Sequence, residues 1–196
     1  MVSLNTPVTK AVVDELRPDV LICAVGADPL RLPIPGADSE RVVMGTDLLG
    51  NEQEGRQVVV IGGGLVGCEE GLQLAQKGYN VTVVELREEL APDCGRMHRL
   101  GLLHELEEQE NLAAVTQMRC TAITEDSVTA LDRNGDAIKF PADWVVMAAG
   151  MRARTETVEQ LRALVPECYV IGDCHRPRTV MTAVREAYDA VIDLGR

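Results

Sequence analysis

Short runs of adjacent apolar residues alternate along the chain with stretches in which apolar positions recur every three or four residues. The first pattern predicts buried strands and the second amphipathic helices. Strands are expected at residues 19–24 (DVLICA), 57–61 (QVVVI), 81–85 (VTVVE), 144–148 (WVVMA) and 169–171 (YVI). Helices are expected at residues 6–17, 65–77, 91–109 and 182–194, with Pro18 closing the first and Gly78 the second. On the second helix Cys68, Leu72 and Ala75 share a face; on the third, Met97, Leu100, Leu103 and Leu106 are the apolar positions. The period changes after residue 115. Short strands are expected at 115–123, 127–131 and 137–140, with Asn134-Gly135 as a hairpin turn. Residues 32–38 (LPIPGAD) carry two prolines and a glycine and read as irregular connecting chain near a boundary. This order predicts an α/β fold: a parallel sheet with helices on both faces and a small antiparallel β-meander.

Composition sharpens this reading. With one Trp, one Phe and three Tyr, the core must be aliphatic, which suits a Val-rich parallel sheet. A net charge of -12 argues against a nucleic-acid partner, which would need a basic surface. No apolar run reaches the roughly 18 residues of a membrane-spanning helix, and no basic amphipathic stretch suggests a membrane surface. Residues 1–5 lack the basic start and apolar core of a signal peptide, so a cytoplasmic protein is expected. Self-association is left open. Six cysteines stand at 23, 68, 94, 120, 168 and 174 without zinc-ligand spacing, and are expected to be reduced, mostly buried thiols. Cys168 and Cys174 are the only pair close in sequence, and the sequence announces no helix N-terminus beside either. His98 and His104, six apart, lack metal spacing; Glu105, Glu107, Glu108 and Glu110 read as a solvated helix face.

The chemistry-bearing motif is Gly62-Gly63-Gly64-Leu65-Val66-Gly67. A G-x-G-x-x-G alone is weak evidence. Here it follows an apolar strand, opens a helix and precedes a second strand with an acid at its end, which is a specific context. Gly62 allows the turn, Gly64 clears the approach of a pyrophosphate, and Gly67 permits close packing of the helix. The helix N-terminus, with the N–H groups of its first residues Leu65 and Val66, offers partial positive charge to a diphosphate. Glu85 lies 18 residues past Gly67 and is placed to accept hydrogen bonds from adenosine ribose hydroxyls. Its charge disfavours a 2′-phosphate, so NAD(H) is preferred over NADP(H). Arg87, two residues on, is within reach of such a phosphate and counts against that preference.

Four segments resemble the FAD- and NAD(P)-binding portion of the pyridine nucleotide oxidoreductases. They are residues 18–36 (PDVLICAVGADPLRLPIPG), 58–78 (VVVIGGGLVGCEEGLQLAQKG), 144–153 (WVVMAAGMRA) and 169–190 (YVIGDCHRPRTVMTAVREAYDA). Within that family the sequence is most similar to the C-terminal half of the flavin and iron–sulfur enoate reductases and 2,4-dienoyl-CoA reductases, relatives of old yellow enzyme. The resemblance implies that NADH reduces FAD and that electrons pass through an iron–sulfur cluster to an FMN in a separate barrel domain, where an enoate or enoyl-thioester double bond is reduced. It further implies roles for Glu69, facing the nicotinamide end, for Gly150, lending backbone near the nicotinamide, and for Gly172-Asp173, meeting FAD. His175 and Arg176, beside Asp173, read equally as flavin or phosphate contacts and as solvated surface.

The chain departs from that family in having no G-x-G-x-x-G before Gly62, no iron–sulfur cysteines, no barrel and no catalytic cysteine pair. A fragment is therefore expected, not catalytic by itself: residues 1–50 a remnant of an FAD-binding domain, 51–152 an NAD(P)H-binding domain, and 153–196 the return of the FAD-binding domain. Its partners would be the dinucleotide and the missing FAD and barrel domains. Two other functions fit the same motifs: a non-catalytic dinucleotide sensor, and a part of another flavoprotein reductase of the ferredoxin reductase or NADH oxidase type.

Overall fold

The computed structural model describes residues 2–194; Met1 and residues 195–196 of the expected return segment lie outside them. In chain order the elements are α1 (Lys10–Leu16), β1 (Leu21–Cys23), β2 (Ala27–Pro29), β3 (Val42–Met44), β4 (Gln57–Ile61), α2 (Leu65–Gln76), β5 (Asn80–Val84), α3 (Arg96–Glu107) and β6 (Leu112–Val115). There follow β7 (Arg119–Ile123), β8 (Ser127–Leu131), β9 (Ala137–Pro141), β10 (Trp144–Met147), β11 (Met151–Ala153), α4 (Thr155–Arg162), β12 (Cys168–Val170) and α5 (Val180–Asp193). The chain divides into two compact units, Pro29–Gly150 and the flanking Met1–Asp28 with Met151–Arg196. Contacts divide the chain at 29 and 150, and β3 belongs to the central sheet.

That sheet is parallel, in the order β3-β10-β4-β5-β6. Val58 lies opposite Val81 on one side and Trp144 on the other. The side chains of β4 alternate between two cores, as the period of two requires. Val58 and Val60 face a cluster with Leu74, Ala75, Val83 and Val146 on the α2 side. Val59 and Ile61 face Met118, Ile123, Val128 and Ala130. The expectation of helices on both faces is corrected here. One face carries α2, with α3 packed on it through Cys68, Leu72, Leu102 and Leu106. The other is covered by the antiparallel meander β7-β8-β9, whose apolar side chains seal it.

Further elements differ from the pattern. The strand expected at 115–123 is instead the last residue of β6 and the whole of β7, because Gln117 adopts φ 58° and the chain leaves the parallel sheet after Val115 for the meander. On α3, which begins only at Arg96, Leu102 and Leu106 are buried while Met97 and Leu100 are exposed. The strands β2, β3 and β11 and the helix α4 had no counterpart in the sequence reading.

In the flanking unit β1 and β12 form a parallel pair, Leu21 opposite Cys168 and Cys23 opposite Val170. Val158 and Leu161 of α4 pack on this pair with Cys23 and Cys174. Two helix starts there are capped by threonine. Thr9 accepts from the Val12 N–H at the head of α1, and Thr179 from the Thr182 N–H at the head of α5.

Candidate functional site

The C-terminal ends of β4, β5 and β10 open on one cleft of about 580 Å³, the size of an ordinary cofactor site. Its walls include Gly62, Gly64, Glu85, Arg87 and Gly150 from the sequence reading, and also Leu32, Ile34, Asp93, Met118, Arg119 and Cys120. Open α/β sheets bind ligands at this end of their strands.

The glycine turn is dictated by packing on three sides and left open on the fourth. Gly62 has φ 110°, and a Cβ there would lie 2.3 Å from the Ala148 carbonyl oxygen. At Gly67 a Cβ would meet the Gly62 carbonyl oxygen at 1.9 Å, so α2 seats directly on the turn. A Cβ at Gly63 would strike Leu90 and Glu85. Gly64 is different: its nearest neighbours would be Asp93 and Arg87 side-chain atoms at 3.6–3.8 Å, across the cleft. Protein packing therefore tolerates a Cβ at this position, unlike at Gly62, Gly63 and Gly67. Gly71, which the motif does not include, lets α2 approach the sheet, since a Cβ there would meet Val83 at 2.8 Å.

Glu85 is buried directly beneath the turn. Its Oε2 accepts from the Gly63 N–H at 2.6 Å, and its Oε1 from the Arg87 N–H at 2.7 Å and Arg87 Nε at 3.0 Å. Burial pushes this carboxyl up, but the hydrogen bonds from Arg87 and Gly63 outweigh it and hold the group below the usual carboxylate range. The same pairing pushes the Arg87 guanidinium up. A fixed anion thus sits in the wall of the cleft, paired with Arg87, and Arg119 lines the same cleft. Asp93 stands at the head of α2: its Oδ1 accepts from the Leu65 N–H at 3.1 Å. Gly150, with φ 104°, closes the opposite wall, and its carbonyl accepts from the Leu30 N–H at 2.9 Å.

The remaining sequence candidates lie elsewhere. Leu65 turns its side chain toward the α2–α3 core, and that of Val66 is exposed. Glu69 lines a groove between α2 and α3, with its Oε1 3.4 Å from His98 Nε2. Its neighbour Glu70 packs against Gly45, and burial, with the charge of Glu69, pushes its carboxyl up to about 7. Gly172 and Asp173 belong to the flanking unit. The Gly172 N–H donates to Glu186 Oε2 at 2.7 Å, and Asp173 Oδ1 accepts from the Arg178 N–H at 3.3 Å. Glu186 also meets His175 and Arg178. Asp93, Arg119 and the 32–34 segment were missed. They lie on loops and a strand edge that share no motif, and only the helix start at residues 91–93 hinted at the first.

The family model described as pyridine nucleotide-disulphide oxidoreductase matches residues 5–187. The chain belongs to this family. Pyridine nucleotide-disulphide oxidoreductases bind FAD and NAD(P), and the glycine turn, the buried Glu85 and the open face of Gly64 fit the dinucleotide part of that chemistry. Among its relatives are a cinnamate reductase of Clostridium sporogenes, 30% identical over 193 residues, and a bilirubin reductase of Mediterraneibacter gnavus, 37% identical over 175. These alignments cover 96% and 88% of this chain but only 28% and 27% of the relatives. A solved 2-naphthoyl-CoA reductase complex superposes with a TM-score of 0.83 at 30% identity, over 97% of this chain and 29% of that one. The chain therefore spans under a third of the length of these relatives. Among the described residues no helix is long and apolar enough to cross a membrane, and no cluster of His, Cys, Asp or Glu is arranged to hold a metal ion.

Proposed function

We propose that this chain is the NADH-binding part of a flavin-dependent oxidoreductase that reduces an enoate- or enoyl-CoA-type double bond, and that it is not catalytic by itself. The observation that carries the reading is the conjunction of Gly64, which protein packing does not require to be glycine, with the buried, ionised Glu85 in one cleft. The N–H groups at the head of α2 would receive the diphosphate, and Gly64 would let it approach the backbone. Glu85 would accept from the ribose hydroxyls, which favours NADH over NADPH. Gly150 would lend backbone to the nicotinamide end, and Gly172 and Asp173 would contact FAD. When bound, NADH supplies a hydride to FAD; this chain's part is to hold the nicotinamide in register for that transfer. The onward carriers, an iron–sulfur cluster and FMN, would reside in domains outside this chain. The relatives named for cinnamate, bilirubin and 2-naphthoyl-CoA reduction support an unsaturated substrate.

The test is a calorimetric titration of the purified 196-residue chain with NADH and with NADPH, without added FAD. The expected result is saturable binding of both, tighter for NADH. Absence of binding, or tighter NADPH, overturns the assignment.

A further inference from the structure

The flanking unit brings two thiols into contact that the dinucleotide reading does not use. Cys23 ends β1 and Cys168 begins β12. In the register of this parallel pair Cys168 faces Leu21, two residues before Cys23. Side chains two apart share a face of a strand, so both cysteines point to the same side. Their sulfurs are 3.5 Å apart, although the residues are 145 positions apart in the chain. Cys23 is buried, whereas Cys168 is partly exposed. The nearby Cys174, which sequence spacing alone would pair with Cys168, is otherwise engaged. Its thiol points at the carbonyls of Cys23 and Ile171, at 3.2 and 3.1 Å. All six cysteines are free in the structure.

We propose that Cys23 and Cys168 form a reversible disulfide and so constitute a thiol-modification site. Hydrogen peroxide serves as the two-electron oxidant. The Cys168 sulfur attacks one peroxide oxygen, becoming a sulfenic acid as the O–O bond breaks and the first water leaves. The Cys23 sulfur then attacks the sulfenic sulfur; the S–S bond forms, the S–O bond breaks, and the hydroxyl leaves with the Cys23 proton as the second water. Two thiols and one peroxide thus give one disulfide and two waters, and a small dithiol returns the electrons. The sulfurs must close from 3.5 Å to about 2.05 Å, and because the two residues stand diagonally across the pair, the strand ends must draw together as well. The link would tie together the two chain segments that flank Pro29–Gly150, which restricts the unfolded chain more than a short loop would.

The 196-residue chain is treated with hydrogen peroxide under native conditions, remaining thiols are alkylated, and non-reduced peptides are sequenced by mass spectrometry. The expected product has lost two hydrogens, carries a Cys23–Cys168 link, and reverts with dithiothreitol. Its Tm is higher than that of the reduced chain by roughly 5–15 °C. Cys174→Ser should keep the link and Cys168→Ser should lose it. Six alkylatable thiols after oxidation, or cysteine oxyacids without a link, overturn the proposal, as does a Cys23–Cys174 link. The mapping of the unmutated chain decides this even if Cys168→Ser fails to fold.

Discussion

The carboxylate of Asp93 accepts a hydrogen bond from the backbone N–H of Leu65 at 3.1 Å. That N–H belongs to the first residue of α2, where the proposed diphosphate would bind, so Asp93 acts as an internal anion on a site meant for an external one. It must turn away before a diphosphate can settle, and its charge opposes the ligand meanwhile. Asp93→Asn should therefore tighten NADH binding by about two- to fivefold, the factor that corresponds to ~0.3–1 kcal/mol for a charge at a helix terminus. Calorimetry reads this directly. Unchanged or weaker affinity would mean that Asp93 assists the ligand rather than competing with it.

Glu85 has a double role that separates by cofactor. It anchors the Gly63 and Arg87 amides, so Glu85→Gln should loosen the turn and weaken both nucleotides. Only NADH presents a free 2′-hydroxyl for the carboxylate to accept from. Its affinity should fall about tenfold or more, as expected for hydrogen bonds to a charged group worth ~1.5–3 kcal/mol, and NADPH should lose distinctly less. Equal losses in paired titrations would leave Glu85 as a scaffold for the turn alone.

The legibility of these features in the sequence followed their locality. β4 and β8 match the pattern residue for residue, since an unbroken or alternating apolar run is a property of the segment itself. The glycine turn and Glu85 were legible for the same reason: 29 positions, 57–85, contain a whole βαβ unit. β3 was not, because three residues become a strand only by pairing with β10, a hundred positions later. The helix layer expected on the second face failed because meander strands can seal a sheet with the same aliphatic residues. Met97, Leu100, Leu103 and Leu106 were the expected apolar positions of α3; packing buries Leu106 and, in place of the first two, Leu102, and leaves Leu103 partly buried. The Cys23–Cys168 contact carries no sequence signal, and Asp93 only the hint of a helix start, since each depends on where distant loops and strands return.

Glu70 gives a pH dependence whose sign is fixed. Its Oε2 is buried and has no hydrogen-bond partner among the described residues, and its carboxyl is pushed up from 4.5 to about 7 by burial first and Glu69 second. The folded chain then holds this proton more tightly than the unfolded chain. The stability contribution is full below pH 4.5 and is lost as the pH rises toward 7. Glu70→Gln removes the ionisation at nearly constant volume. Its Tm should exceed that of the parent by about 2–4 °C at pH 8, the shift that ~1 kcal/mol produces in a chain of this size, and the gain should vanish near pH 4.5. A gain independent of pH would place the effect in packing rather than in the proton.

Gly64 and Gly67 separate binding from folding within three residues. A Cβ on Gly67 would stand 1.9 Å from the Gly62 carbonyl oxygen, which is backbone and has nowhere to go. Gly67→Ala must lift α2 off the turn, and a strain of this kind costs ~1–3 kcal/mol. It should lower the Tm and abolish nucleotide binding together. A Cβ on Gly64 meets nothing closer than 3.6 Å, and this residue has an extended conformation with φ -68° that alanine adopts freely. Gly64→Ala should keep the parent Tm within about 1 °C, because an unstrained surface change is worth less than ~0.5 kcal/mol. It should still weaken NADH at least tenfold, because the methyl group fills the space through which the diphosphate reaches the backbone. Calorimetric melting and titration of the two variants side by side test the site without reference to activity. If Gly64→Ala bound NADH like the parent, the open face of Gly64 would not be where the diphosphate lies, and the dinucleotide would have to be placed elsewhere in the cleft.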